Sequence, residues 1–103
     1  MKTWISFIEV EEHSPGIGIK PRGGFTNGIA TAQSPRDAER KLRQLIDELG
    51  WRVLEITKTE DFSIRCKNFE VDQDLEDLAV SSNRTGETHV GTFYTWLNDD
   101  SDN

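Results

Sequence analysis

Between Thr3 and Val10 apolar side chains fall on both faces of an extended chain. Trp4, Ile8 and Val10 share one face with Ser6 among them, and Ile5 and Phe7 lie on the other. A strand that is apolar on both sides predicts a central place in a sheet, covered above and below. A second strand is expected over about residues 26–33, where Ile29 alternates with small residues.

The period then changes. Ser34 is a good helix N-cap, Pro35 suits the first helical position, and Asp37 completes a pattern close to a capping box. Ala38, Leu42, Leu45, Ile46 and Leu49 follow as one apolar stripe, and Gly50 supplies a left-handed stop. The pairs Asp37–Lys41 and Glu39–Arg43 each add about 0.2–0.5 kcal/mol to a helix. This predicts the main helix over residues 35–49.

A strand over 51–57 follows directly. Phe62, Ile64 and Cys66 alternate with Ser63, Arg65 and Lys67, which predicts a fourth, half-exposed strand joined to the third by a turn at 59–61. Residues 72–79 read as a short acidic helix with Leu75, Leu78 and Ala79 on its apolar side. Residues 81–87 read as a loop and residues 88–97 as a last strand. The expected fold is α+β: a mostly antiparallel sheet of about five strands, with the main helix on one face, in a sandwich of ferredoxin-like type. One helix cannot cover a sheet that is apolar on both faces. The second face needs the acidic helix, the long loop or another subunit.

Composition fits a small core. Of 103 residues, 34% are hydrophobic and 30% charged, predicting a single domain over 1–98 and a disordered acidic tail over 99–103. No apolar run reaches membrane-spanning length, and the first residues lead into a run broken by Ser6 and Glu9 without a cleavage signal. Together with a single cysteine, this makes a cytoplasmic protein with no membrane partner the expectation. Asn83-Arg84-Thr85 matches a glycosylation acceptor, which has no role without secretion.

The charge is uneven. Residues 1–69 carry 11 Lys/Arg and 10 Asp/Glu, whereas residues 70–103 carry one basic and nine acidic side chains. The net charge of −7 therefore sits in the last third, which would repel nucleic acid and attract a basic surface. The main helix balances Arg36, Arg40, Lys41 and Arg43 against four acids, so it is not expected to read DNA.

The remaining motifs test specific chemistry. In the glycine-rich stretch 14–25, Gly18 and Gly23 have P-loop spacing, but Gly24 and Phe25 stand where Lys and Ser/Thr are required. The dinucleotide pattern begun at Gly16 and Gly18 meets Pro21, and neither version enters a helix. The stretch reads as a connection. Lys20 and Arg22 leave it basic enough for an anion, with His13 at the edge of such a pocket. Glu9, Glu11 and His13 recur at period 2 and could in principle hold a metal, but solvated charges at a strand end explain the same residues and are the reading preferred. Asp72, Asp74 and Glu76 begin like a calcium loop, but Asp77 and Asn83 replace the required glycine and glutamate. Cys66 reads as a buried structural cysteine on the face of Phe62 and Ile64. No metal, cofactor or catalytic residue is expected.

The layout of strand, glycine-bearing connection, strand and capped helix resembles the ferredoxin-like half-domains of small antitoxin and toxin-immunity proteins. That resemblance covers about the first half, rests on no specific motif, and implies a fold more than a function. The functional expectation is a small, acidic, non-catalytic interaction protein that binds a basic protein. Asp72, Asp74, Glu76 and Asp77 would steer association, and Tyr94 and Trp96 would anchor it. The alternatives are a small-anion binding domain or minor enzyme using the 13–24 loop through Lys20 and Arg22, and a homodimer.

Overall fold

A computed structural model describes residues 1–13, 18 and 21–97, with Trp96 and Leu97 as backbone alone. The elements are β1 (Lys2–Glu12), β2 (Arg22–Ala32), α1 (Pro35–Glu48), β3 (Trp51–Asp61), α2 (Phe62–Asn68), α3 (Gln73–Thr85), β4 (His89–Val90) and β5 (Tyr94–Leu97). They build one antiparallel sheet of five strands in the order β3-β1-β2-β4, with β5 also on β2. The class is α+β. The element order is ββαβααββ, whereas a ferredoxin-like chain runs βαββαβ.

β1 is the central strand that its two apolar faces required. Its first face, with Ile8 and Val10, packs with Ala30 and Ala32 of β2 against Ala38, Leu42 and Ile46 of α1. The helix starts where its cap predicts: Ser34 Oγ accepts from the Asp37 N–H at 3.1 Å, with Pro35 in the first turn. It ends at Gly50, whose φ of +92° is the left-handed geometry that glycine adopts without strain. Leu45 and Leu49 lie at the border of the stripe, and Leu49 is exposed.

The second face is covered by α3. Ile5, Ile29 and Ala79 are buried together, with Phe62, Leu75 and Leu78 packed against them. Thr31 and Ser82 share a buried hydrogen bond of 2.9 Å between their hydroxyls. This contact explains why the helix runs on through residues expected to form a loop at 81–87. Ser82 is a poor helix former in isolation, but its small side chain satisfies Thr31 at the sheet. Gly86, at φ +81°, then ends the helix, its N–H donating to the Ser82 carbonyl at 2.7 Å.

Four more expectations need correcting. Residues 62–66 form helix α2 instead of a strand, because Asp61 caps it, accepting from the Ser63 N–H at 2.9 Å and the Ser63 hydroxyl at 2.7 Å. Those hydrogen bonds, the hydroxyl's first, hold the Asp61 carboxyl below its ordinary range. Cys66 is consequently exposed on a helix, not buried on a strand. The expected turn at 59–61 is the end of β3. The last strand is two short ones, β4 and β5, separated by residues 91–93.

Glycines 23 and 24 lie within β2 and not in a loop. A Cβ on Gly24 would stand 2.7 Å from the Tyr94 carbonyl oxygen, so its absence lets β5 lie beside β2. The pairing of β3 with β1 is broken twice. Lys58 and Thr59 both oppose Ser6, and Leu54 is an extra residue between the Glu9–Glu55 and Val10–Val53 pairs. These are β-bulges, and Lys58 takes φ +55° in the first.

Candidate functional site: an aromatic sheet face

α3 reaches only one end of the second sheet face. Beyond Ile5 and Ile29, that face continues with Phe7 on β1 opposite Asn27 on β2, then with Phe25 on β2, which is directly paired with Tyr94 on β5. Phe7 and Phe25 stack with ring centroids 4.9 Å apart and an interplanar angle of 19°. Phe7 is 42% exposed and Tyr94 62%. Phe7 and Tyr94 thus project, exposed, from one side of the sheet, with Phe25 half-buried beside them.

Glu9 follows Phe7 on this face and stands opposite Phe25 on one side and Glu55 on the other. Like charges facing across strands destabilise a sheet. The other carboxylates of β1 and β3 are matched: Glu11 by Arg52, Glu12 by Arg22, Glu60 by Arg65 at 3.6 Å, and Asp61 by Lys2 at 3.5 Å. Among the described residues Glu9 and Glu55 have no such partner. Lys58, which makes no ion pair among the described residues, lies on the far side of Phe7. There it lines a cleft of about 280 Å³ with Ile5, Asn27, Thr57 and Arg65. A smaller cleft shares Ile5, Asn27 and Arg65 and continues to Glu70, Asp72 and Leu75.

The residues singled out from the sequence are only partly gathered here. Tyr94 is on the face, and Asp72, at the N-cap of α3, borders it through the smaller cleft. Trp96 occupies the strand position paired with Gly23. Asp74 and Asp77 are exposed on α3, with Asp77 accepting from Gln73 Nε2 at 2.9 Å. Glu76 faces away, into a groove of about 700 Å³ that also holds Lys2, Asp61 and Cys66. Phe7, Phe25, Glu9 and Glu55 were not read as partner-binding. The signal for Phe7 was the second apolar face of β1, whereas Phe25 was hidden in the supposed glycine loop.

The anion-binding expectation rested on Lys20 and Arg22. Lys20 lies outside the described residues. Arg22 donates from Nη2 to Glu12 Oε2 at 2.7 Å and from its backbone N–H to Oε1 at 2.9 Å, and it lies 5.7 Å from the centre of the Trp51 ring. Its charge is therefore met within the chain. The side-chain hydrogen bond from Arg22, followed by the backbone one, holds the Glu12 carboxyl below its ordinary range, and the same side-chain bond raises Arg22. His13 Nε2 lies 2.8 Å from the Trp51 carbonyl oxygen and 3.1 Å from Asp47, which ties the end of β1 to the start of β3. Glu9, Glu11 and His13 do not converge, and among the described residues no three potential metal ligands do.

Among the described residues no helix is long and apolar enough to cross a membrane. No protein-family model, curated protein or solved structure matches the chain.

Proposed function

We propose that this chain is a small, acidic, non-catalytic interaction protein whose ligand is a basic protein docked on the aromatic half of the second sheet face, beyond the reach of α3. The observation that carries this reading is the pair of exposed aromatic side chains Phe7 and Tyr94, next to Glu9 and Glu55, which have no ion-pair partner among the described residues. Exposed aromatics of this kind supply apolar contact area at an interface, and surrounding charge of one sign selects a partner of the other. Asp72 at the border, with Asp74 and Asp77 farther along α3, extends the negative field that would steer the approach. The net charge of −7 favours a basic partner over a second copy of the chain, which would bring the same surplus against itself.

The test is capture at low salt with three baits: the native chain, Phe7→Ser with Tyr94→Ser, and Asp74→Lys with Asp77→Lys. A basic protein held stoichiometrically by the native bait, released by salt and lost from the first variant supports the reading. The charge-reversed bait should bind the same protein with a slower on-rate. Equal capture by all three baits would overturn it.

A further inference from the structure

The second sheet face changes the sign of its charge behind Phe7. Asn27, Phe7 and Thr57 form one row across β2, β1 and β3, and Lys58 follows Thr57 at the first bulge. With Ile5, and with Arg65 of α2, they line the cleft of about 280 Å³. No described carboxylate lines it, in a chain whose acids outnumber Lys and Arg by 19 to 12. Among the described residues the Lys58 ammonium, the Asn27 amide and the Thr57 hydroxyl make no hydrogen bond or ion pair. Arg65, by contrast, is held in place: it pairs with Glu60 at 3.6 Å and lies 4.7 Å from the centre of the Phe69 ring. Glu70 and Asp72 belong to the adjoining cleft, which shares Arg65 but not Lys58.

The backbone at Lys58 is a second, independent observation. Among the described residues it is the one non-glycine position with positive φ, at +55°. Bulges re-aim side chains and are frequent beside binding sites, and left-handed geometry at a residue other than glycine is a strain that functional positions retain. We infer that this cleft binds a small organic anion, a carboxylate or phosphate carried on a compact apolar body. Lys58 supplies the charge and the charge-assisted hydrogen bond, with Asn27 and Thr57 as neutral donors. Ile5 and Phe7 receive the apolar part, and the fixed Arg65 adds positive potential. The volume stands at the small end of ligand pockets, about 300–1,000 Å³, which suits a single ring or a short chain. The site is separate from the glycine-rich stretch, where the Arg22 charge is met by Glu12. It is also independent of the basic-partner reading, because Glu9, Glu55 and Tyr94 lie on the other side of Phe7.

The experiment titrates the full chain with benzoate, phenyl phosphate and the neutral benzamide, followed by nuclear magnetic resonance. At least one of the two anions should shift the Phe7, Asn27 and Thr57 signals saturably and bind about tenfold more tightly than benzamide, the worth of one charge-assisted hydrogen bond. The tighter anion identifies the head group. Lys58→Gln should lower both anions to the affinity of benzamide. Lys58→Gly should do the same while melting no lower than the native chain, so that lost binding is distinguished from lost folding.

Equal binding of benzamide and the anions would reduce the cleft to apolar contact and overturn the proposal. Anion binding that survives Lys58→Gln, or that shifts signals of residues 14–25 instead, would overturn it by placing the anion elsewhere. The absence of a saturable shift with any of the three probes would overturn it as well. None of these outcomes bears on the basic-partner reading, which stands or falls on capture by the three baits.

Discussion

Gly28 of β2 lies directly beneath Leu42 of α1, so close that a Cβ at Gly28 would stand 2.5 Å from one Leu42 methyl and 2.8 Å from the Ile8 terminal methyl. The missing side chain sets how closely the helix can approach the sheet. Because Leu42 and Ile8 are both fully buried, neither can swing into solvent to make room. Gly28→Ala should destabilise the fold by about 1–3 kcal/mol through overpacking, read as a lower denaturant midpoint. Adding Leu42→Ala should cost less than the two single changes summed, since the second makes room for the first.

Lys58 occupies left-handed backbone geometry at the first bulge of β3. A lysine pays a steric penalty there that glycine avoids. Lys58→Gly should raise stability by about 0.5–1 kcal/mol despite glycine's greater freedom when unfolded. An unchanged or lowered midpoint would mean that the bulge adapts to its side chain.

His89 Nε2 is buried and, among the described residues, without a hydrogen-bond partner. An orphaned polar atom costs free energy that an apolar replacement of similar size does not. His89→Leu should stabilise the fold by about 1 kcal/mol. A loss of stability would show that the ring nitrogen finds a partner in solution.

The acid limb of the stability curve should report Glu12 and Asp61. Both carboxyls are held below their ordinary range, Glu12 chiefly by its side-chain hydrogen bond with Arg22 and Asp61 chiefly by the Ser63 hydroxyl. A depressed folded-state pKa means that the unfolded chain takes up the proton first. The stabilisation is therefore complete above the ordinary carboxylate value of about 4 and lost as pH falls through the depressed values. Glu12→Gln should flatten this limb at its upper end, and Glu12→Gln with Ser63→Ala should flatten it further. Parallel curves for native and variant chains would refute the assignment.

How much of this was legible in the sequence depended on how local each signal was. α1 carries its start, stripe and stop within its own residues, and all three are present in the fold. The double-sided β1 also announced that something must cover the second sheet face. What failed was decided by distant contacts. Phe62, Ile64 and Cys66 fit a strand period as well as a short helix, and the choice fell to the Asp61 cap and to packing of Phe62 beside Ile5 and Ile29. Gly23 and Gly24 look like loop residues unless the approach of β5 is known. The candidate site was hidden for the same reason. Glu9 and Glu55 are far apart in sequence, and only the register of β1 with β3 brings them face to face.

The two bulges of β3 have a consequence for how the protein behaves when concentrated. β3 has eleven residues and stands at the rim of the sheet, with one row of backbone donors and acceptors that no other described strand pairs. A straight rim of that length would template an incoming chain and grow into fibrils. The extra residues at Leu54 and Lys58 interrupt the hydrogen-bonding row and twist the strand, leaving no long, flat stretch for a neighbour to zip onto. A chain lacking Leu54 would present a longer uninterrupted rim, and it is this shortened chain, not the native one, that should thicken into amyloid on storage.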